Sequence, residues 1–202
     1  MKRPRGRPRS FDEEVVKDAI MQVFWERGFS ATSLDDLSHA TGLTRPSLYG
    51  AFGDKLSMYL MAMDVLTGTM RESAGQALWK GRTIKTSLSN FFAKVLDIYL
   101  GDGEMPPKGC LVFSTAIAEA VRHPEIKSAL GRHNKSVEKA FRDRFADLCP
   151  GISRAMLSVM TGLAVSALHS LAIRARAGAS RSELLALARQ TIIAVEAVAE
   201  SK

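Results

Sequence analysis

Cysteine is scarce in this chain, with Cys110 and Cys149 the only two. Two thiols so far apart build no disulfide framework, and neither sits in a cluster of metal-ligating residues. His123, His133 and His169 are too scattered to suggest a metal site, and no cofactor is expected. Catalytic signatures are missing too. There is no nucleophile–base set, no pair of carboxylates at working distance and no glycine-rich phosphate loop, which argues against an enzyme. Sustained apolar–polar alternation is also lacking, which argues against strands. One stretch lacks charge altogether: Ala155 to Ile173 contains no Asp, Glu, Lys or Arg. Its length would span a bilayer. However, Ser158, Thr161, Gly162, Ser166, His169 and Ser170 interrupt it, so a core helix covered on two sides by protein is expected instead.

What is present is an ordinary globular composition, 46% hydrophobic and 24% charged, which leaves little room for disorder beyond the first residues. The net charge of +7 is unevenly placed. Lys2, Arg3, Arg5, Arg7 and Arg9 precede the first acid, leaving +2 for residues 10–202. A basic arm on a nearly neutral body suits a polyanion. Because Phe11-Asp12-Glu13-Glu14 follows where a signal peptide would be apolar, a cytoplasmic location is expected.

The pattern predicts an all-α chain of about nine helices. Ser10 and Glu13 read as a capping box for a first helix with Val16, Ala19, Ile20, Val23 and Phe24 on its apolar stripe, ended by Gly28. Thr32 and Asp35 read as a second box, opening a short helix that buries Leu34, Leu37 and Ala40. After a turn at Thr41-Gly42-Leu43, Thr44 caps a third short helix with Pro46 in its first turn. Leu48 and Phe52 face inward from it. Lys55 then begins a long helix reaching Trp79, and further helices are expected near 83–101, 109–121, 124–148, 153–177 and 181–200, the last capped by Ser180 and Glu183. The divisions that follow are an arm over 1–9, a three-helix unit over 10–55 and a helical body over 56–202.

Two short helices joined by a glycine-containing turn on a longer support form a helix-turn-helix unit. The second short helix exposes Arg45, Ser47 and Tyr49, side chains able to reach a guanine edge or phosphate oxygens. Lys55 adds an ammonium beside a helix N-terminus. The segment from Ser30 to Leu56, with its Leu48-Tyr49 pair, Phe52 and Lys55, resembles the DNA reader of the tetracycline-repressor-like (TetR) family. The dense match covers residues 10–60. The resemblance implies contacts to double-stranded DNA from Thr32, Ser33, Thr44, Arg45, Pro46, Ser47, Tyr49, Gly50 and Lys55, with Tyr49 and Lys55 on phosphates. Gly50-Ala51 departs from the larger side chains found in many members. Upstream, Arg5-Gly6-Arg7-Pro8-Arg9 resembles the core of an AT-hook, which lays arginines in a narrow minor groove.

In the body, Met61, Met70, Phe91, Phe92, Tyr99 and Phe113, together with Trp79 and Met105, supply soft and aromatic surface for an apolar or aromatic effector. The last two helices carry apolar residues on more than one face. Met160, Leu163, Ala167, Leu171, Ile192 and Val195 are expected to meet a second subunit, as the family's four-helix interface implies. The expected function is a homodimeric regulator on a palindromic operator, a repressor released by a small molecule. Two rivals stand beside it, a helical enzyme or carrier with an incidental basic arm, and an architectural protein of A·T-rich DNA.

Overall fold

The computed structural model describes residues 11–101 and 109–201. Arg5, Arg7, Arg9, Ser10 and Met105 lie outside them. Among the described residues the chain is helical with no strand. The first unit comprises α1 (Glu13–Ala31), α2 (Leu34–Thr41) and α3 (Arg45–Phe52). A rod follows, made of α4 (Lys55–Met70), a π-helical segment (Arg71–Gly75) and α5 (Gln76–Lys80). Then come α6 (Ile84–Leu100), a second π-helical segment (Val112–Ala116) running into α7 (Ile117–Glu119), α8 (Pro124–Leu148), α9 (Arg154–Arg176) and α10 (Arg181–Glu200). Counting each run that passes through a π segment as one rod gives nine helices among the described residues, the number expected.

The caps explain most boundaries, with two corrections. Asp12, not Ser10, caps α1, its carboxylate accepting from the N–H groups of Glu14 and Val15. The box on α2 is Ser33 with Asp36, one residue later than the Thr32–Asp35 pair. Thr32 is buried instead, donating its hydroxyl to the Gly28 carbonyl at 2.6 Å. Thr44 caps α3 and Ser180 with Glu183 caps α10, as the pattern predicts.

Gly28 breaks α1 internally, at φ 76° and ψ −177°, a region open to glycine. Helix resumes for one turn. The body takes up backbone groups on both sides of the break. Just before it, the carbonyls of Trp25 and Glu26 each accept from the Arg176 guanidinium at 2.9 Å. Just after it, the Ser30 N–H donates to Glu119 Oε1 at 3.1 Å. The Trp25 indole N–H donates to the Gly109 carbonyl at 3.1 Å. Thr115, on the second π segment, lies 3.5 Å from where a Cβ on Gly28 would stand.

α9 is long and apolar enough to cross a membrane, yet α6, α8, α10 and the second π segment pack around it. That packing corrects the expected subunit contacts. Met160, Ala167, Leu171, Ile192 and Val195 are buried within the protomer's own core, and Leu163 is half-buried. α9 and α10 pair with each other and with α6, so their most apolar stripes are used up internally. The faces left in water carry Val159, Gly162, Ser166 and Ile173 on α9, with Ala186, Gln190, Ile193 and Ala197 on α10.

Gly109 has φ 62°, and a Cβ there would lie 2.4 Å from the Ala172 carbonyl oxygen. Gly109→Ala is expected to cost about 2–4 kcal/mol in urea denaturation, combining backbone strain with a clash against a rigid neighbour. Gly131, mid-helix in α8 with open space about it, serves as the contrast. Gly131→Ala should be neutral or stabilising by up to about 1 kcal/mol.

Candidate nucleic-acid interface and cavity

α3 turns one face to the core and the other to solvent. Leu48 is fully buried, and Phe52 packs its ring 6.2 Å from that of Phe11. Thr44, Arg45, Pro46, Ser47, Tyr49 and Gly50 are all exposed, and Tyr49 leaves 47% of its surface in water. An exposed aromatic on a short helix contributes little to the fold. Ser33 is exposed at the start of α2, while Thr32 is withdrawn from the surface, so a DNA contact through its side chain is not available.

Arg45 is held rather than free. Its Nε donates to Asp35 Oδ1 at 2.8 Å and its Nη2 donates to Oδ2. This side-on pairing with α2 leaves Nη1 and the remaining Nη2 proton, a two-pronged edge, for a base or phosphate. Arg27 pairs similarly with Asp36, bracing α1 against α2. At the start of α4, Asp54 caps Ser57 at 2.7 Å. Lys55 Nζ lies 4.5 Å over the Phe29 ring, and burial lowers its pKa against the pull of Glu119 and Asp36. The α3 side chains expected to read bases and grip phosphate thus lie on its solvent side, while Lys55 is half-buried against Phe29.

Beneath this unit, Tyr59 of α4 is fully buried, edge-on to Phe24 at 5.1 Å. Thr115 spends its own proton on the Leu111 carbonyl at 2.7 Å, so the 2.6 Å contact runs from the Tyr59 hydroxyl to Thr115 Oγ1. Burial pushes the Tyr59 phenol up to about 12, and it remains a donor at any physiological pH.

Farther along the same rod lies a cavity of about 80 Å³. Its lining includes Met70, Leu78, Phe91, Phe113, Phe141 and Leu168, with Thr67, Arg71, Gly75, His133 and Ser136 adding polar or small groups. Of the residues expected there, Met70, Phe91 and Phe113 take part. Phe92 and Tyr99 are core residues elsewhere, Met61 is half-buried on α4 away from the lining, and Trp79 is exposed with the Arg144 guanidinium 5.0 Å from its ring. Sequence reasoning missed His133, Thr67 and Phe141, since α8 reads as a plain amphipathic helix until α4 is packed on it. Both π segments reach the cavity, the first through Arg71 and Gly75 and the second through Phe113. Such segments are frequent at functional sites because the extra residue per turn is easily lost or moved. Cys110 is buried, and burial raises its thiol pKa, which makes it inert.

A helix-turn-helix reader mounted on a helical body defines a class, the DNA-binding transcriptional regulators. Comparison narrows it. Residues 17–61 match the family described as bacterial regulatory proteins, tetR family. The chain is 26% identical over 199 residues to the HTH-type transcriptional repressor ComR of Escherichia coli strain K12, covering 95% of this chain and 92% of that one. The HTH-type transcriptional repressor BdcR of the same strain is 24% identical over 195 residues, 96% of this chain and 94% of that one. Among solved structures, the TetR family regulator CifR, a cysteine mutant complexed with 26 bp double-strand operator DNA, superposes with a TM-score of 0.79 at 25% identity. That match covers 94% of this chain and 99% of that one. Residues 17–61 thus match the tetR-family DNA-binding domain, and the chain is a DNA-binding transcriptional regulator.

The cavity also generates a pH dependence. Burial, helped by neighbouring His169, lowers the His133 pKa from its ordinary 6.5 to about 4. Between those values the unfolded chain binds a proton that the folded chain refuses, so stability is full above pH 6.5 and falls as pH drops towards 4. The loss reaches roughly 3 kcal/mol at most. Urea midpoints measured across that window should decline, and His133→Gln should make the decline shallower.

Proposed function

We propose that the chain is a homodimeric repressor, working in the cytoplasm, that holds a palindromic operator and lets go when a small effector enters the body. The observation that carries this reading is the second π segment. Phe113 lines the cavity, and Thr115, two residues on, receives the Tyr59 hydroxyl and faces the break at Gly28. An effector that displaces Phe113 therefore acts on the seat of the reader. The reading is also supported by the repressor names of ComR and BdcR and by the operator DNA bound to CifR.

Residues 10–55 serve as the reader and 56–202 as the sensing and dimerising body. Arg45 and Ser47 approach base edges, while Ser33, Thr44, Tyr49 and Lys55 hold phosphates, with Pro46 and Gly50 allowing close approach. Arg5, Arg7 and Arg9 of the arm reach the minor groove. Two such readers enter successive major grooves about one helical turn apart. The second subunit covers the exposed faces of α9 and α10, where Val159, Ile173 and Ile193 stand among the small residues Gly162, Ser166, Ala186 and Ala197. Release requires only that the effector favour the non-binding geometry by a few kcal/mol.

Selection from a randomised duplex pool, followed by binding measurements on the winner, tests the reader. Tyr49→Ala and Lys55→Ala should weaken binding to every duplex and flatten its salt dependence. Arg45→Ala should cost about 1–3 kcal/mol and relax preference at one base pair of each half-site. Indifference of all three variants would sink the assignment. For the dimer, sedimentation of Ile193→Arg should show a folded monomer with reduced operator affinity; an unchanged dimer would place the interface elsewhere.

A further inference from the structure

The cavity wall carries one polar group whose proton is positioned by its neighbours. Thr67 is helical and donates its single hydroxyl proton back to the Met63 carbonyl at 2.7 Å. Its second contact, to His133 Nδ1 at 3.2 Å, must therefore run the other way, with the imidazole donating and the hydroxyl accepting. A neutral imidazole has one N–H, so Nε2 is left with a bare lone pair. The ring stays neutral because burial and His169 lower its pKa. Phe113 packs against both imidazoles, 5.0 Å from His133 and 4.1 Å from His169. The rest of the wall is largely apolar, with Met70, Leu78, Phe91, Phe141 and Leu168 prominent.

Resting on the effector reading above, we infer that the effector is a compact neutral molecule, one aromatic ring or its aliphatic equivalent, carrying a hydroxyl or N–H that it donates to His133 Nε2. Phenol represents the class. An anion fits poorly, because a carboxylate would meet a lone pair instead of a donor. Arg71 is exposed in solvent, where its charge is screened. Size sets the other limit. The cavity of about 80 Å³ is roughly half the 150 Å³ that admits benzene in an engineered apolar cavity. Even a single ring enters only by moving a wall, and the π segments holding Gly75 and Phe113 are the walls that can move without opening a helix elsewhere.

The discriminating probes are phenol, anisole, toluene and benzoate, titrated by calorimetry into the full-length chain while retention of the pool-selected duplex is followed in parallel. Anisole keeps the ring and oxygen of phenol but has no donor. Phenol is expected to bind at least about tenfold tighter than anisole or toluene, because a site built around a hydrogen bond leaves a buried group unpaired with the wrong analogue. His133→Leu should erase that preference while keeping toluene binding. Thr67→Val, which leaves packing almost unchanged, frees the imidazole to take either tautomer and should narrow the phenol-to-anisole ratio. Anisole equal to phenol, benzoate binding best, or no probe binding at all would each overturn the inference. Phenol binding with the expected preference but with no loss of duplex would instead sink the effector reading and leave the ligand class standing.

Discussion

The interruption of α1 at Gly28 is the constraint on which the rest depends. A continuous helix would satisfy its own backbone and could pivot on the body. A broken one presents backbone groups to it, and here Arg176 takes the Trp25 and Glu26 carbonyls while Glu119 takes the Ser30 amide. A hydrogen bond to a charged group contributes about 1.5–3 kcal/mol, and less where solvent screens it, as at the Glu26 and Ser30 contacts. The reader is thereby seated on α9 and α7, as well as on α4, to which it is directly joined. Its orientation is a property of the body.

Under the proposed function, that seating is what links the cavity to the DNA-facing helix. Thr115 both receives the Tyr59 hydroxyl and lies against Gly28, and its own hydroxyl is committed to Leu111. A shift of the second π segment therefore breaks the buried Tyr59–Thr115 hydrogen bond unless Tyr59 follows, and disturbs the packing of Thr115 against the α1 break. Packed interiors of this density shift between discrete arrangements rather than bend continuously. The reader itself is stiffened by two cross-helix ion pairs, Arg27 with Asp36 and Arg45 with Asp35. Each is exposed and individually weak. Their value is geometric, holding α1, α2 and the guanidinium of α3 in fixed relation before any duplex arrives.

Legibility in the sequence followed the range of the signal. Thr44 with Pro46, Ser180 with Glu183, and the apolar stripe of α1 act within a few residues, and all could be read directly. The start of α2 could not be read so closely. Thr32-Ser33-Leu34-Asp35-Asp36 contains two capping boxes one residue apart, and burial of Thr32 beneath Gly28 selects the later one. In the cavity, methionine and aromatic content pointed to Met70, Phe91 and Phe113. His133 and Thr67 escaped notice because their meaning lies in a contact between α4 and α8, 66 residues apart.

By itself, the sequence determined the helical class, the division into rods and a reader with exposed Arg45, Ser47 and Tyr49. Periodicity, caps and turn residues encode these over a helical turn or two. Only the tertiary structure decided which apolar stripe of α9 and α10 is interior. Met160, Leu171, Ile192 and Val195 are buried in the bundle that α9 and α10 form with α6 and α8, leaving Val159 and Ile193 in water. A helix with two apolar faces carries no local mark of which neighbour will cover which. That choice belongs to the packing of the whole chain.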